Sequence, residues 1–225
     1  MVEFDNRPPC VREVDLYKGF LLAGKEKIRM RICVFGAASD VVDKHFLAAG
    51  TELGKEIALR GHEVVFGGGA HGLMGTVAKG ARDNGGKVTG VLPIFFKEQG
   101  IEALFEDCTE WIYTEDMKSR KATMEEESEC FIVAPGGIGT FEEFFEVLVL
   151  KQLEQHRKPI AIYNVSGYFD DMLKMLEKSK DAKFIRGNCL GLYKVFNEGE
   201  FDAMFEYLKT EEPDDGIPVS GYKYG

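Results

Sequence analysis

The chain has few of the residues that mark several large classes of protein. Its 225 residues include 1 Trp, 7 Pro and 5 Cys, and no two cysteines stand in a Cys-x-x-Cys spacing. An odd number of cysteines without that spacing argues against a disulfide framework and against a zinc site, so we expect no bound metal. Cys33 and Cys130 lie within apolar runs, where a free thiol packs as a small hydrophobic group.

Positive charge and long apolar runs are also scarce. The chain has 28 Lys and Arg against 38 Asp and Glu, which gives a net charge of −10. A nucleic-acid polymer or an anionic membrane requires a basic surface, so we expect neither as a partner, although a local cluster can still hold one mononucleotide. No apolar run approaches the roughly 20 residues of a membrane-spanning helix. Because no secretory signal is evident either, we expect a cytoplasmic protein.

Short apolar runs alternate with amphipathic segments along most of the sequence. Strands are predicted at 31–35, 63–66, 87–92, 111–113, 130–134 and 159–163, and helices at 41–60, 73–84, 116–128, 140–154, 168–179 and 201–209. This alternation predicts an α/β fold with a Rossmann-like, doubly wound parallel sheet in a single domain over 31–210. Residues 1–30 are expected to form an N-terminal extension with a short helix at 14–25, and 211–225 a polar tail. The segment 94–107 is predicted to be irregular or weakly helical.

Three glycine-rich loops, 36–39, 67–75 and 135–139, each follow a predicted strand. Because ligands of parallel sheets bind beyond the carboxyl ends of the strands, these loops are expected to meet at one edge. Ser39 can bond a phosphate or cap the next helix, and His71 either faces a ligand or fits its turn. The second loop weakly matches a dinucleotide fingerprint but lacks the acidic residue expected after the next strand.

The third loop predicts a phosphate site beside a carboxylate. Glycines at a strand-to-helix junction expose N–H groups to a ligand, and the helix dipole favours an anion there. Glu142 and Glu143 follow within a predicted first helical turn, which favours their ionised form. No lysine follows the glycines as in a Walker P-loop, so that ATPase machinery is not expected.

Two motifs together resemble one known family. Met117, Arg120 and Lys121 (MxxRK), followed by 135–143 (PGGxGTxxE), resemble the LONELY GUY (LOG) family of cytokinin riboside 5′-monophosphate phosphoribohydrolases, long labelled possible lysine decarboxylases. The resemblance covers about residues 30 to 185. It implies hydrolysis of the N-glycosidic bond of AMP or an N6-substituted AMP, without a cofactor, in a homodimer. Lysine decarboxylation would need pyridoxal phosphate on a Schiff-base lysine, and no lysine stands in such a context.

The resemblance also implies roles for individual residues. Glu143 is expected to act at the anomeric carbon, with Glu142 as the alternative or as a partner for the ribose hydroxyls, and Arg120 is the second expected catalytic residue. The expected contacts to the 5′-phosphate and the rest of the substrate are Gly136, Gly137, Ile138, Gly139, Thr140, Lys121, Gly68, Gly69, Ser39 and Glu102.

Three alternatives stay open at this stage. A protein of the same fold can bind a nucleotide without hydrolysing it, or carry the molybdenum cofactor. An NAD-dependent oxidoreductase is the third alternative. The sequence does not identify the base that would leave.

Overall fold

Seven parallel strands form the centre of the molecule in a computed structural model that describes residues 29–100 and 103–210. The strands are β1 (Arg31–Phe35), β2 (Glu63–Phe66), β3 (Lys87–Pro93), β4 (Glu110–Thr114), β5 (Cys130–Val133), β6 (Ile160–Tyr163) and β7 (Lys194–Phe196). Their order in the sheet is β4-β3-β2-β1-β5-β6-β7. Every residue of β5 and β6 is buried, as expected for strands covered on both faces.

Helices cover both faces of this sheet. They are α1 (Lys44–Leu59), α2 (Gly72–Asp83), α3 (Ile94–Gln99), α4 (Met117–Glu126), α5 (Ile138–Gln152), α6 (Asp170–Asp181) and α7 (Phe201–Leu208). Apolar residues of α1, α2 and α7 pack into one core layer. Those of α4, α5 and α6 pack into the other. Within the described ranges, no helix has the length and apolar character needed to cross a bilayer.

The strand order reverses direction between β1 and β5. The chain runs outward from β1 to β4 and then returns to place β5 against the other side of β1, with Cys33 beside Phe131. The loops after β1 and β5 leave this point toward opposite faces, which opens a crevice between them. The topology therefore provides a ligand site at the carboxyl ends of β1 and β5.

The structure confirms the predicted α/β sheet and most of its elements. Among the differences, α1 begins at Lys44 rather than at 41, α5 begins at Ile138 rather than at 140, and β7 was not predicted. The segment at 94–107, predicted to be irregular or weakly helical, opens with the six-residue helix α3. β7 has only three residues, too few for an alternating or continuous apolar pattern. The helix predicted at 14–25 lies outside the described residues.

Candidate active site

A cleft of about 350 Å³ lies at the carboxyl edge of the sheet, where the three glycine loops meet. The loops after β1, β2 and β5 form its floor, and α3, α4 and the first turns of α5 form its walls. Its lining residues are Val34, Phe35, Gly36, Ala37, Ala38, Phe66, Gly67, Gly69, Met74, Phe96, Arg120, Met124, Gly137, Gly139, Thr140 and Glu143.

Backbone hydrogen bonds connect these loops directly. The N–H of Ala37 donates to the carbonyl oxygen of Pro135 at 3.0 Å, and the N–H of Met74 donates to that of Ala37 at 3.0 Å. Gly72 has a φ of +64°, and a Cβ there would lie 2.5 Å from the Ala37 oxygen, so only glycine fits. The loop after β1 is thus fixed between the other two.

An aspartate that sequence reasoning missed strengthens this junction. One oxygen of Asp40 accepts from the N–H of Gly72 at 2.6 Å, and the other pairs with Nδ1 of His71. The backbone hydrogen bond from Gly72, followed by His71, lowers the pKa of Asp40. His71 therefore fits its turn rather than lining the cleft. Ser39 is exposed and outside the lining, and its hydroxyl accepts from the N–H of Val41 at 3.4 Å.

The glycines of the third loop have two different roles, packing and ligand access. A Cβ on Gly136 would lie 2.0 Å from Oγ1 of Thr140 and 2.8 Å from the nitrogen of Ala37, so Gly136 is required for packing. A Cβ on Gly137 or Gly139 would meet nothing within 4 Å. Both of these glycines line the cleft, whereas Gly136 does not.

The N-terminus of α5 faces this open space. Gly137 is its N-cap, and no side chain among the described residues caps it. The first N–H groups of α5 are therefore available to an anion, which the helix dipole favours. Thr140 is buried at 2% exposure beside them. Ile138, predicted as a substrate contact, is 88% exposed and is not among the residues that line the cleft.

The two glutamates of the motif separate in space. Glu143 lines the cleft, while Glu142 is exposed and pairs with Lys121. Burial raises the pKa of Glu143 to about 7, against the opposing effect of Arg120. The sequence predicted that the helix position favours the ionised form, whereas desolvation favours the protonated form, and α5 also starts two residues earlier than predicted. Glu143 then lies in the second turn, where the helix dipole has weakened and desolvation prevails.

Arg120 reaches the cleft from α4 and is fixed by two backbone carbonyls. Its Nε donates to the oxygen of Val91 at 3.1 Å, and its Nη2 donates to that of Gly67 at 3.0 Å. A Cβ on Gly67 would lie 1.7 Å from Nη2, so this glycine makes room for the guanidinium. The carboxyl of Glu143 and the guanidinium of Arg120 share one cleft and interact electrostatically.

Lys121 lies outside the lining and bridges two helices instead. Its Nζ pairs with Glu142 and, at 2.9 Å, with Oε2 of Glu146, which joins α4 to α5. Burial opposes its charge, but the hydrogen bonds to Glu142 and Glu146 outweigh that effect and raise the pKa of Lys121.

Sequence reasoning also missed the apolar wall of the cleft. Phe96 of α3 and Met124 of α4 are among its lining residues. Met124 stands four residues after Arg120 and thus on the same helical face, so helical spacing from Arg120 could have indicated it. Phe96 lies in the segment predicted to be irregular or weakly helical, where no periodicity indicated it.

The second loop contributes one of its two expected residues. Gly69 lines the cleft. Gly68 has a φ of +84°, and a Cβ there would lie 2.7 Å from the ring of Trp111, so it serves packing. The oxygen of Gly68 accepts from the N–H of Phe105 at 2.9 Å. Glu102 lies outside the described residues.

Comparison with known sequences relates the chain to one family of proteins. A family model described as possible lysine decarboxylase matches residues 74–205. The cytokinin riboside 5′-monophosphate phosphoribohydrolase LOG5 of Arabidopsis thaliana is 39% identical over 156 residues, which are 69% of this chain and 68% of the relative. A probable enzyme of the same name from Oryza sativa subsp. japonica, LOGL2, is 40% identical over 69% of this chain and 63% of its own length. The chain therefore spans less than two thirds of that rice relative.

Solved structures with the same architecture carry a different name. The molybdenum cofactor carrier protein of Chlamydomonas reinhardtii superposes with a TM-score of 0.62 at 26% identity, covering 81% of this chain and 99% of that one. The molybdenum cofactor binding protein of Rippkaea orientalis gives a TM-score of 0.60 at 21% identity, over 79% of this chain and 95% of that one, and supports the fold alone.

Proposed function

The chain belongs to the LONELY GUY family, whose family model is described as possible lysine decarboxylase, and from this membership we propose that it is a nucleoside 5′-monophosphate phosphoribohydrolase. It hydrolyses the N-glycosidic bond of AMP or an N6-substituted AMP and releases the free base and ribose 5-phosphate. The observation that carries this proposal is that Glu143, Arg120 and the open N-terminus of α5 line one cleft.

The 5′-phosphate binds at the start of α5. The N–H groups of Gly139 and Thr140 belong to the first turn of this helix, and Gly137 approaches the cleft without a side chain. A dianionic phosphate there replaces the missing side-chain cap and interacts favourably with the helix dipole.

The ribose then extends from the phosphate toward Glu143 and Arg120. The transition state of glycosidic cleavage has oxocarbenium character, with positive charge on C1′ and the ring oxygen. The carboxylate of Glu143 stabilises that charge and either attacks C1′ or orients the water that does. With a pKa of about 7, a large fraction of Glu143 is ionised at neutral pH. Arg120 positions the substrate and favours the ionised form of Glu143.

The base occupies the side of the cleft at the carboxyl ends of β2 and β3. The phosphate end lies at β5, so the remaining length of the nucleotide runs across β1 toward Gly67, Gly69 and Phe96. Phe96 and Met124 offer apolar surface to a planar base. No lysine among the described residues lines this cleft, and the proposed chemistry requires none.

A direct assay separates hydrolysis from binding alone. We expect purified protein incubated with AMP or N6-substituted AMP to release equal amounts of free base and ribose 5-phosphate. The matched control is Glu143→Gln, which we expect to bind the nucleotide without releasing base. The similarity to the molybdenum cofactor carrier names the second candidate. Tight pterin binding with no base release from any nucleoside monophosphate would favour that carrier function.

The assembly and location form the remaining parts of the proposal. We propose a homodimer in which α5 packs against its symmetry mate, because Val149 on this helix and Leu153 at its C-cap are 49% and 47% exposed. We also propose a cytoplasmic location. It is supported by the free cysteines among the described residues, Cys33, Cys108, Cys130 and Cys189.

A further inference from the structure

A tyrosine outside the cleft forms a hydrogen bond with the third glycine loop. Tyr168 belongs to the segment after β6, the fourth loop at this edge of the sheet. Its hydroxyl donates to the carbonyl oxygen of Gly136 at 2.5 Å. Neither residue lines the cleft, and the chemistry proposed above does not involve Tyr168.

The bond fixes the orientation of a peptide plane. The oxygen of Gly136 and the N–H of Gly137 belong to one peptide unit, which is planar and trans. Its C=O and N–H therefore point to opposite sides. Because the oxygen points to Tyr168, the N–H of Gly137 points away from Tyr168, and Gly137 lines the cleft.

Without the hydrogen bond from Tyr168, this peptide unit would rotate more easily than most. It joins two glycines, and neither has a Cβ to restrict φ and ψ. The preceding peptide is already fixed, because the oxygen of Pro135 accepts from the N–H of Ala37 at 3.0 Å. The hydroxyl of Tyr168 supplies the corresponding restraint for the unit between Gly136 and Gly137.

Tyr168 is itself held in place by its surroundings. Its ring stacks on Phe141 of α5 with centroids 6.5 Å apart and planes 9° apart. Its backbone follows a turn in which the side-chain oxygen of Asn164 accepts from the N–H of Phe169 at 2.8 Å. Asn164 and Phe169 are both buried. The hydroxyl thus acts from a rigid support.

We propose that Tyr168 is a positioning residue that holds the N–H of Gly137 toward the 5′-phosphate of the substrate. The inference rests on the proposed function only in taking the anion at α5 to be the phosphate of a nucleotide. It assigns Tyr168 to affinity for the phosphate rather than to bond cleavage.

The test is Tyr168→Phe, which keeps the ring packing and removes the hydroxyl. We expect the KM for AMP to rise about fivefold to tenfold, as for the loss of one hydrogen bond, with kcat within about twofold. The inhibition constant of ribose 5-phosphate should rise by the same factor, and that of adenosine, which lacks the phosphate, should not change. The matched control is Tyr207→Phe, which removes a hydroxyl that donates to the oxygen of Ile160 at 3.4 Å, away from the cleft.

The outcomes separate this inference from the proposed function. Equal inhibition constants of ribose 5-phosphate for the wild type and Tyr168→Phe would overturn the role of Tyr168. A loss of affinity for adenosine equal to that for ribose 5-phosphate would overturn it as well. If the wild type releases no base but binds ribose 5-phosphate, the proposed hydrolysis fails while the comparison of the two proteins still tests Tyr168. If the wild type binds neither AMP nor ribose 5-phosphate and releases no base, both fail.

Discussion

Burial and charge act in opposite directions on the carboxyl of Glu143. Desolvation raises its pKa to about 7, Arg120 and Lys121 oppose that rise, and Glu142 and Glu146 add to it. A carboxylate that is partly desolvated stabilises a developing cation more strongly than one in water, because the local dielectric constant is lower. The same environment means that its ionisation falls within the range in which an assay is run.

Substitution of Glu143 tests the central catalytic role. We expect Glu143→Gln to lower kcat for AMP by at least about a hundredfold, because the amide keeps the shape and loses the charge. Glu142→Gln is the control, since Glu142 is exposed and pairs with Lys121. It should retain most of the activity. Steady-state kinetics with circular dichroism checks both variants, and an active Glu143→Gln enzyme would remove Glu143 from the mechanism.

The pH dependence gives a second test at the same residue. If the carboxylate is the active form, kcat/KM rises with pH through about 7, the pKa of Glu143. Lys121→Met removes a positive charge that lowers this pKa, so the rising part of the kcat/KM profile should move to higher pH. Glu142→Gln removes a negative charge that raises it, so the rising part should move to lower pH. The phosphate of the substrate also titrates near pH 6, but its pKa is the same for every variant.

If the pH profiles of the two variants do not move in opposite directions, the rise of kcat/KM with pH belongs to the phosphate of the substrate and not to Glu143. The expected directions follow from charge alone, because both substituted side chains are outside the cleft lining. Kinetics at constant ionic strength is needed, since screening weakens interactions between exposed charges.

At the scale of elements, the start of α5 determines what each motif residue does. The sequence predicted the helix and its glycine loop but placed the start at 140, which put Glu143 in the first turn. The structure starts the helix at Ile138, and that shift of two residues moves Glu143 beyond the strongest part of the dipole. Helix ends are defined by hydrogen bonds and caps, and Gly137 has no side chain to signal an N-cap.

The glycines of this loop allow a matched pair of substitutions. Gly136→Ala places a Cβ 2.0 Å from Oγ1 of Thr140 and 2.8 Å from the nitrogen of Ala37, so we expect a loss of about 1–3 kcal/mol in unfolding free energy. Gly139→Ala meets no atom within 4 Å and should fold at least as stably as the wild type. Gly139 lines the cleft, so we expect the added methyl group to narrow the proposed phosphate site.

We expect Gly139→Ala to raise the KM for AMP by about tenfold, which corresponds to about 1.4 kcal/mol. Urea denaturation and kinetics measure the two effects separately. A destabilised Gly139→Ala with normal affinity would contradict the division of roles between these glycines.

At the scale of the whole molecule, the sequence could predict the sheet and the charged residues of the site but not its apolar wall. Alternating apolar runs indicated the parallel strands, and every glycine loop lies at the carboxyl edge as expected. Phe96 and Asp40 were missed for a physical reason. Phe96 shares the cleft lining with residues from distant parts of the chain, and Asp40 accepts a hydrogen bond from Gly72, 32 residues away. Such contacts leave no local pattern.

The last prediction concerns assembly. α5 buries Phe144 and Leu148 against the sheet, yet Val149 of this helix and Leu153 at its C-cap, four residues apart, remain about half exposed. If this face packs against a second copy, light scattering should give twice the mass of the chain, and Val149→Asp with Leu153→Asp should give the mass of one chain. Leu59→Asp on α1, which covers the opposite face of the sheet, is the matched control and should remain dimeric. A wild-type protein that is monomeric at micromolar concentration, or a double variant that stays dimeric, would show that α5 is not the interface.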